Sequence, residues 1–499
     1  MKLTIAILIS LSLFTHVFAQ QLTSPLEKNS YQKVTSYVDL TEFVYHLDKS
    51  SGLLKVEIMG QSAQKRNLYA LMFSSSEFGK DKSKIKVLFH AQQHGNEQSG
   101  KEGALLLAQA LLKTENRYLL DKIDFAIVPQ MNPDGSEVNE RRNGNKMDLN
   151  RNHLILTEPE TQALHRFFDK YLFEVTMDVH EYFPYGGDWE KYGYRKNADE
   201  TLGTTTNPNV SAKIRELSNS QVLPYVLTYL SLRQFRSFEY SPGGPPELDY
   251  IRQSTFDIND GRQSFGIQNT LSFIQEGKNG TDAFSQNIRL RAEGQMTGMR
   301  GILEFVCSHK DEIKKMVASE RKNLVSGKAN QFVSIQSEHI ATGQKLTIPL
   351  YSYYSKTDTT VIVNDYRPAA KSLTDVRKPA GYLIPKQQKE LVEWASRQAL
   401  TISDFKKQKG QKIEQYTIAR IDSIDFEREM IINPVVEAKE FKGGIKTSDY
   451  IYISTSQLKG NLIVLALEPK SELGLVTYKQ FQDLLKVGEM FPVLRVLKK

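Results

Sequence analysis

Cysteine is almost absent from this chain of 499 residues, since Cys307 is the only one. A single cysteine excludes an internal disulfide, so the folded chain must be stabilised by its packed core. The hydrophobic content of 40% fits a globular protein, and the length suffices for one large or two medium domains. Low-complexity tracts and clear repeats are also absent, so nothing in the sequence indicates a repeat architecture.

Long hydrophobic runs are missing except near the start of the chain. The run from Ile5 to Phe14 follows a basic residue and precedes the small residue Ala19, which is the pattern of a secretory signal. The run is too short to span a bilayer comfortably, and no cysteine follows it to carry a lipid anchor. We therefore expect residues 1–19 to be a signal peptide and the protein to be exported, either periplasmic or secreted, without a membrane span.

A strong excess of charge of one sign is also missing, because the net charge is +7 and the isoelectric point is near 9.0. The charges are spread along the chain apart from a cluster at Lys406, Lys407 and Lys409. This cluster lacks interleaved aromatic residues and a recognisable binding module. We interpret it as a solvated loop rather than an anion patch, and we expect no nucleic-acid partner.

What the sequence does contain is a histidine and a glutamate at close spacing, His94 and Glu97, just after an apolar run at residues 87–89. If that run is a strand, the pair lies beyond its carboxyl end, where open α/β sheets bind ligands. Imidazole and carboxylate are both good zinc ligands. Taken alone the pair is better explained as two surface residues, so the metal interpretation depends on residues elsewhere.

Two further candidates follow apolar segments later in the chain. His180 follows the predicted strand at residues 173–179, and a short pair with a distant third ligand is typical of a catalytic zinc site. Glu276 follows the predicted strand at residues 271–275 and is either a general base or a solvated loop residue. Glu304 lies inside the helix that follows, which makes it the weaker candidate for a base.

A polar loop at residues 141–152 combines several arginine and amide side chains. It is either an exposed loop or an anion site, because an arginine fork binds a carboxylate in bidentate fashion.

Residues 182–265 are predicted to be irregular and rich in aromatic residues, as expected for the walls of an enzyme site. After about residue 330 the chain changes to short alternating segments typical of strands.

Together these motifs resemble the zinc carboxypeptidase family, the M14 metallopeptidases, from the lead-in helix to the long helix after Glu276. The resemblance implies that His94, Glu97 and His180 hold one Zn²⁺ per chain and that Glu276 is the general base. It also implies an α/β fold with a mixed, mostly parallel sheet flanked by helices on both faces. We predict a catalytic domain at 20–330 and a smaller β-rich domain of unknown role at 331–499, similar to extensions on bacterial members.

The same resemblance assigns roles within the loop that runs from Asp148 to Asn152. Asn150 and Arg151 fall where the family holds the terminal carboxylate of a peptide substrate. Arg141 falls where the family polarises the scissile carbonyl, and Asp148 where a carboxylate orients the first zinc-ligand histidine. The function implied is a zinc hydrolase that removes C-terminal amino acids, a metallocarboxypeptidase.

One departure from the family keeps other functions open. The family carries a mobile tyrosine before its catalytic glutamate, whereas the nearest tyrosine here is Tyr250, and Asp257 or Arg262 are the candidates to replace its contact. One alternative function is a zinc amidase that acts on peptidoglycan peptides or acylated amino acids. Another is a binding protein that carries zinc without turnover, although a pure binder would not need Glu276.

Overall fold

The computed structural model describes residues 22–327, 331–426 and 429–498. The predicted signal peptide at residues 1–19 lies outside these ranges. Within them, no helix combines the length and the apolar character needed to cross a membrane.

The α-helices of the described ranges are, in chain order, α1 (Pro25–Lys28), α2 (Tyr37–Ser50), α3 (Gln98–Leu111), α4 (Arg117–Lys122), α5 (Pro133–Glu137), α6 (Pro159–Tyr171), α7 (Asp188–Lys191), α8 (Ala212–Leu217), α9 (Leu223–Ser231), α10 (Gly261–Gly266), α11 (Ile288–Ser326), α12 (Lys389–Arg397) and α13 (Gly460–Leu467). The strands are β1 (Leu54–Gln61), β2 (Asn67–Phe73), β3 (Ile85–Ala91), β4 (Ile123–Val128), β5 (Val175–Tyr182), β6 (Tyr194–Lys196), β7 (Glu200–Thr204), β8 (Ser237–Glu239), β9 (Ile251–Arg252), β10 (Leu271–Lys278), β11 (Phe332–Ile340), β12 (Leu346–Ser352), β13 (Thr357–Val363), β14 (Tyr366–Arg367), β15 (Ala369–Arg377), β16 (Gly381–Pro385), β17 (Ile402–Ser403), β18 (Ile413–Phe426), β19 (Glu429–Glu440), β20 (Tyr450–Ser454) and β21 (Leu494–Val496).

An eight-stranded sheet organises the first part of the chain, in the order β1-β2-β4-β3-β5-β10-β7-β8. Its central strands β4, β3, β5 and β10 run parallel, whereas β1 and β2 on one side and β7 on the other introduce antiparallel pairs. The central strands are buried along almost their whole length, as their continuous apolar runs require. The predicted mixed, mostly parallel sheet is confirmed.

Helices cover both faces of this sheet. Val87 and Phe89 of β3 point into a core that includes α3 and α11, whereas the intervening Leu88 enters a second cluster with Leu164 and Phe168 of α6. Alternate residues of one strand therefore serve opposite faces. This layered α/β arrangement is the one that the sequence predicts.

The C-terminal region is rich in β-structure, as predicted, and contains a six-stranded sheet of order β17-β20-β16-β21-β18-β19. It packs closely on the first region. Trp394 of α12 is fully buried, and its Nε1 donates a hydrogen bond to the carbonyl of Leu154 at 2.9 Å. In addition, β12 pairs with β6 and β14 pairs with β9. The domain boundary between residues 330 and 331 stays a prediction.

Candidate active site

The carboxyl ends of three neighbouring parallel strands bring the predicted site residues together. His94 and Glu97 follow β3, and the register of β5 with β10 places Glu276 directly beside His180. His180 and Glu276 lie within the last residues of their strands rather than just beyond them. The strands continue because β5 and β10 stay paired as far as Tyr182 and Lys278, while β7 pairs with β10 as far as Gly277.

The loop after β3 has a tightly fixed backbone. Gln92 has a positive φ of 58°, and its side-chain amide donates to the carbonyl of Gly95 at 3.1 Å and to the hydroxyl of Ser136 at 2.9 Å. A Cβ atom at Gly95 would collide with the backbone of Gly135, so only glycine fits this close approach. The loop thereby holds His94 in place and delivers Glu97 to the N-terminus of α3.

The three candidate metal ligands converge on one point. Nδ1 of His94 lies 2.7 Å from Oε1 of Glu97, and Nδ1 of His180 lies 2.9 Å from Oε2. All three side chains are buried, and one donor atom from each lies within 4.8 Å of the others. Two imidazole nitrogens and a carboxylate in this arrangement are a donor set that zinc prefers.

The outer nitrogen of each imidazole faces a carboxylate. Nε2 of His94 lies 3.2 Å from Asp148 Oδ1, and Nε2 of His180 donates to Asp178 Oδ1 at 2.8 Å. A proton held on Nε2 by such a carboxylate leaves the Nδ1 lone pair directed at the common point. The chemistry of the residues therefore fits a zinc ion.

The histidines and carboxylates of the cluster shift one another's pKa values. Burial raises the pKa of Glu97, but His94 and His180 outweigh it and hold this pKa below its usual value. Burial lowers the pKa of His180, but Asp178 and Glu97 reverse the effect and raise it well above its usual value. The two shifts are reciprocal, because each carboxylate favours the charged imidazole and each imidazole favours the charged carboxylate.

Glu276 lies beside this cluster, next to His180 in the sheet. Burial raises the pKa of Glu276 to about 7, although the neighbouring His180 acts in the opposite direction. A carboxyl group with a pKa near neutrality is suited to accept and return a proton. The other glutamate considered, Glu304, lies on α11 and is hydrogen bonded to Tyr118 and Arg300.

Arg141 reaches the edge of the metal cluster from the polar loop. Its guanidinium forms an ion pair with Asp148 at 3.0 Å, and its Nη1 lies 3.2 Å from Nδ1 of His94. A metal ion would need the same lone pair of His94, so metal binding requires Arg141 to turn toward the cavity. Its side chain is 46% exposed, which leaves room for that rotation.

Asn150 and Arg151 lie on a short turn between the loop and the site. The Asn150 side-chain carbonyl accepts hydrogen bonds from the backbone N–H of Gly261 at 2.8 Å and from Gln93 at 3.2 Å. Its amide nitrogen lies 3.2 Å from Nε2 of His180. Nη1 of Arg151 donates to the carbonyl of Asn150 at 2.9 Å, which aims the guanidinium along the turn.

A cavity of about 1090 Å³ opens over these side chains. Its lining includes all the predicted metal ligands except His180, which lies buried behind them, and it also includes Arg141, Asn150, Arg151 and Glu276. Residues 182–265 supply much of the remaining wall, as the sequence indicates. The volume exceeds the range of most small-ligand pockets, which suits a peptide-sized molecule.

The three residues considered as replacements for a mobile tyrosine have different surroundings. Arg262 is almost fully buried and forms an ion pair with Asp260 at 2.8 Å, so its guanidinium is committed to the protein. Asp257 is also buried and lines the cavity. Tyr250 lines the cavity as well, with the guanidinium of Arg367 stacked 3.9 Å from its ring centre.

The sequence reasoning missed Asp178 and Gln93. Asp178 contacts His180 and also accepts two hydrogen bonds from the Gln93 amide, at 2.8 and 2.9 Å. The signal for Asp178 was present, because residues two apart on a strand share one face and Asp178 precedes His180 by two. A Cβ atom at Gly261 would lie 2.7 Å from both Asp178 and Gln93, which explains the glycine there.

Replacing Asp178 by asparagine is expected to weaken zinc affinity about 10- to 100-fold, since His180 would lose the carboxylate that orients it. Competition against a chelator of known affinity measures the change. Asp124→Asn is the matched control, because Asp124 is an equally buried carboxylate of the same sheet, hydrogen bonded to Ser74 away from the site. Equal zinc affinity of Asp178→Asn and the wild type would contradict the assignment.

A mixed sheet that presents two imidazoles and a carboxylate to one point, with a second carboxylate beside them, defines a metal-dependent enzyme of the α/β class. The sequence model of a family described as zinc carboxypeptidase matches residues 40–225. This match and the curated carboxypeptidases below support a zinc metallocarboxypeptidase.

Curated relatives and solved structures resemble the chain at low identity. It is 22% identical to carboxypeptidase 2 of Trichophyton rubrum over 477 residues, which cover 91% of this chain and 85% of that one. It is 25% identical to the catalytic chain of carboxypeptidase N of Homo sapiens, over 65% of this chain and 78% of that one. A solved metallo-carboxypeptidase of Pseudomonas aeruginosa, in complex with (2-guanidinoethylmercapto)succinic acid, is 19% identical, with a TM-score of 0.43 over 57% of this chain and 71% of that one.

Proposed function

We propose that the protein removes C-terminal amino acids from peptides by hydrolysis, with one zinc ion held by His94, Glu97 and His180. The observation that carries the proposal is the convergence of these three donor groups beside Glu276 on adjoining strand ends. A structural metal site is closed by four protein ligands, whereas three ligands, two of which line a cavity, leave a position open for chemistry.

Zinc bound there would supply Lewis acidity, which polarises a peptide carbonyl and makes water a stronger acid. Glu276 takes a proton from the attacking water as its oxygen bonds to the carbonyl carbon. When the carbon–nitrogen bond breaks, Glu276 returns that proton to the leaving amine. Its raised pKa suits both transfers.

Arg141 stabilises the negative charge that develops on the carbonyl oxygen, and Asp148 holds both this guanidinium and the imidazole of His94. Losing one such donor typically lowers turnover about 10²- to 10³-fold. Asn150 and Arg151 bind the terminal carboxylate, because a guanidinium fork matches its two oxygens. With that carboxylate fixed, only the last peptide bond reaches the metal.

We also propose, from residues 1–19, that the protein is exported.

Amino-acid release from a panel of peptides by the purified protein tests this function directly. Release from free C-termini that stops on addition of a chelator is the expected result. No release from any peptide, combined with release from acylated amino acids or cell-wall fragments, would replace the carboxypeptidase by the amidase considered above. Binding of zinc without turnover on either substrate class would contradict both.

Replacing Arg151 by alanine is expected to lower kcat/KM on peptides with a free C-terminus about 10- to 100-fold, the usual effect of losing a charged hydrogen bond. Peptides with an amidated C-terminus should be affected much less, because they lack the carboxylate. Arg142→Ala is the control, since Arg142 lies in the same loop but is exposed and donates to the carbonyl of Lys146. A variant that retains the wild-type preference for free C-termini would contradict the role of Arg151.

A further inference from the structure

Part of the cavity wall is built jointly by the two regions of the chain. The short strands β6 and β9 end in basic residues, Lys196 and Arg252, and both residues line the cavity. Each strand pairs with a strand of the C-terminal region, Lys196 lying opposite Leu350 of β12 and Arg252 opposite Arg367 of β14. The C-terminal region thus fixes where these two cationic side chains stand.

Lys196 differs from its cationic neighbours in the cavity, because no carboxylate of the described residues forms a close ion pair with it. Arg141 is paired with Asp148 and Arg262 with Asp260. The Lys196 ammonium instead donates to the neutral carbonyl of Ser241 at 2.6 Å and lies 5.8 Å from the ring of Trp189. Its charge is therefore compensated only weakly by the protein itself.

The surroundings of Lys196 disfavour the charged form of its side chain. Burial, and after it the neighbouring Arg252, lower the pKa of Lys196 to about 8, although Glu276 acts in the opposite direction. A partly buried charge without a close counter-charge is unfavourable, and an anion that enters the cavity relieves the penalty. Glu276 does not serve as that anion, since no hydrogen bond or ion pair joins it to Lys196 within the described part of the chain.

We propose that Lys196 binds an acidic side chain of the peptide substrate, so that the enzyme prefers glutamate or aspartate at the scissile bond. The proposal rests on the proposed peptidase function and adds the substrate class. A carboxylate is the expected ligand because it can pair with the ammonium of Lys196. The ammonium can keep its hydrogen bond to the backbone carbonyl of Ser241 at the same time. The C-terminal region then acts in substrate selection through the strand that positions Lys196.

Matched pairs of blocked dipeptides test the proposal, with glutamate compared with glutamine at the last position and, separately, at the one before it. The wild type should show kcat/KM about 10- to 100-fold higher for glutamate at one of these positions, as expected for a charged hydrogen bond. Lys196→Met should abolish this ratio while changing the glutamine substrates little, and Lys196→Arg should retain it.

Lys191→Met is the control variant, because Lys191 belongs to the same segment but is exposed and pairs with Asp188. It should keep the wild-type ratio. Equal ratios in the wild type and in Lys196→Met overturn the proposal. An equal loss on glutamate and glutamine substrates also overturns it, because Lys196 would then serve the terminal carboxylate or the chemistry itself.

Failure of the proposed function is distinguishable from failure of this inference. If the wild type hydrolyses none of these dipeptides, the peptidase function is wrong, and calorimetry of free glutamate and glutamine then decides the inference. Weaker glutamate binding in Lys196→Met, with glutamine unchanged, would support the subsite. The same glutamate affinity in both proteins would overturn it.

Discussion

Replacing Glu276 by glutamine is expected to lower kcat about 10²- to 10⁴-fold, the usual contribution of a positioned general base. Glutamine keeps the size of the side chain but cannot accept the proton of the attacking water. Glu276 adjoins the metal ligands without being one of them. Zinc affinity and substrate binding should therefore remain close to those of the wild type.

Rates, zinc content and binding of an uncleaved peptide would be measured on the same preparations. Glu304→Gln is the control, because Glu304 is the glutamate of α11 that bonds to Tyr118 and Arg300 outside the cavity. Wild-type turnover by Glu276→Gln, with zinc bound, would eliminate Glu276 as the base and leave the chemistry to another group.

The pH dependence of the wild type follows from the same residue. A base must be ionised, so kcat/KM should fall as the pH drops through the pKa of Glu276, which burial raises to about 7. A cation bound beside the carboxylate stabilises its ionised form. The acid limb is therefore expected below pH 7, and in Glu276→Gln this limb should be absent from the residual activity.

Removing the metal is the second large effect, and it is expected to reduce turnover to the rate without enzyme. Without the metal the carbonyl is not polarised, and water keeps its ordinary pKa rather than one about 9 units lower. Wild-type protein stripped by a chelator should regain activity when zinc is returned. His180→Ala should not regain it at the same zinc concentration, because one of three ligands is lost.

Thermal unfolding gives this prediction a readout besides activity. A ligand that binds only the folded state stabilises it, so stripping should lower the Tm of the wild type. The Tm of His180→Ala should respond little to zinc, whereas His46→Ala, which removes an exposed histidine of α2, should behave as the wild type does. Full activity in stripped protein, with zinc shown to be absent, would contradict a metallopeptidase.

The central part of this fold was accessible from the sequence because its strands are buried on both faces. Such strands appear as continuous apolar runs, and polar residues that follow them must meet at one sheet edge. This reasoning, together with the resemblance to the zinc carboxypeptidase family, predicted that His94, Glu97 and His180 form one site. The one-to-one register of His180 with Glu276 was not accessible, since pairing of distant strands depends on tertiary packing rather than on local sequence.

Contacts between distant segments account for what the sequence did not reveal. Arg262 looked available for substrate, but Asp260 and the hydroxyl groups of Ser254 and Thr255 enclose its guanidinium. The sequence did not identify Lys196 as a candidate site residue. Lys196 lies on a strand of three residues, and the partner strand β12 is about 150 residues later in the chain. Short strands of this kind carry too little periodicity to be recognised before the partner is known.

The pairing of β6 with β12 also bears on the order in which the molecule is made. A ribosome delivers β6 long before β12, so until the last third of the chain has emerged β6 presents an unpaired backbone edge and its lysine has no fixed position. Trp394, which caps the carbonyl of Leu154, arrives later still. The three candidate metal ligands all lie in the first half of the chain. The part of the cavity wall that carries Lys196, by contrast, is fixed only after β12 has been synthesised.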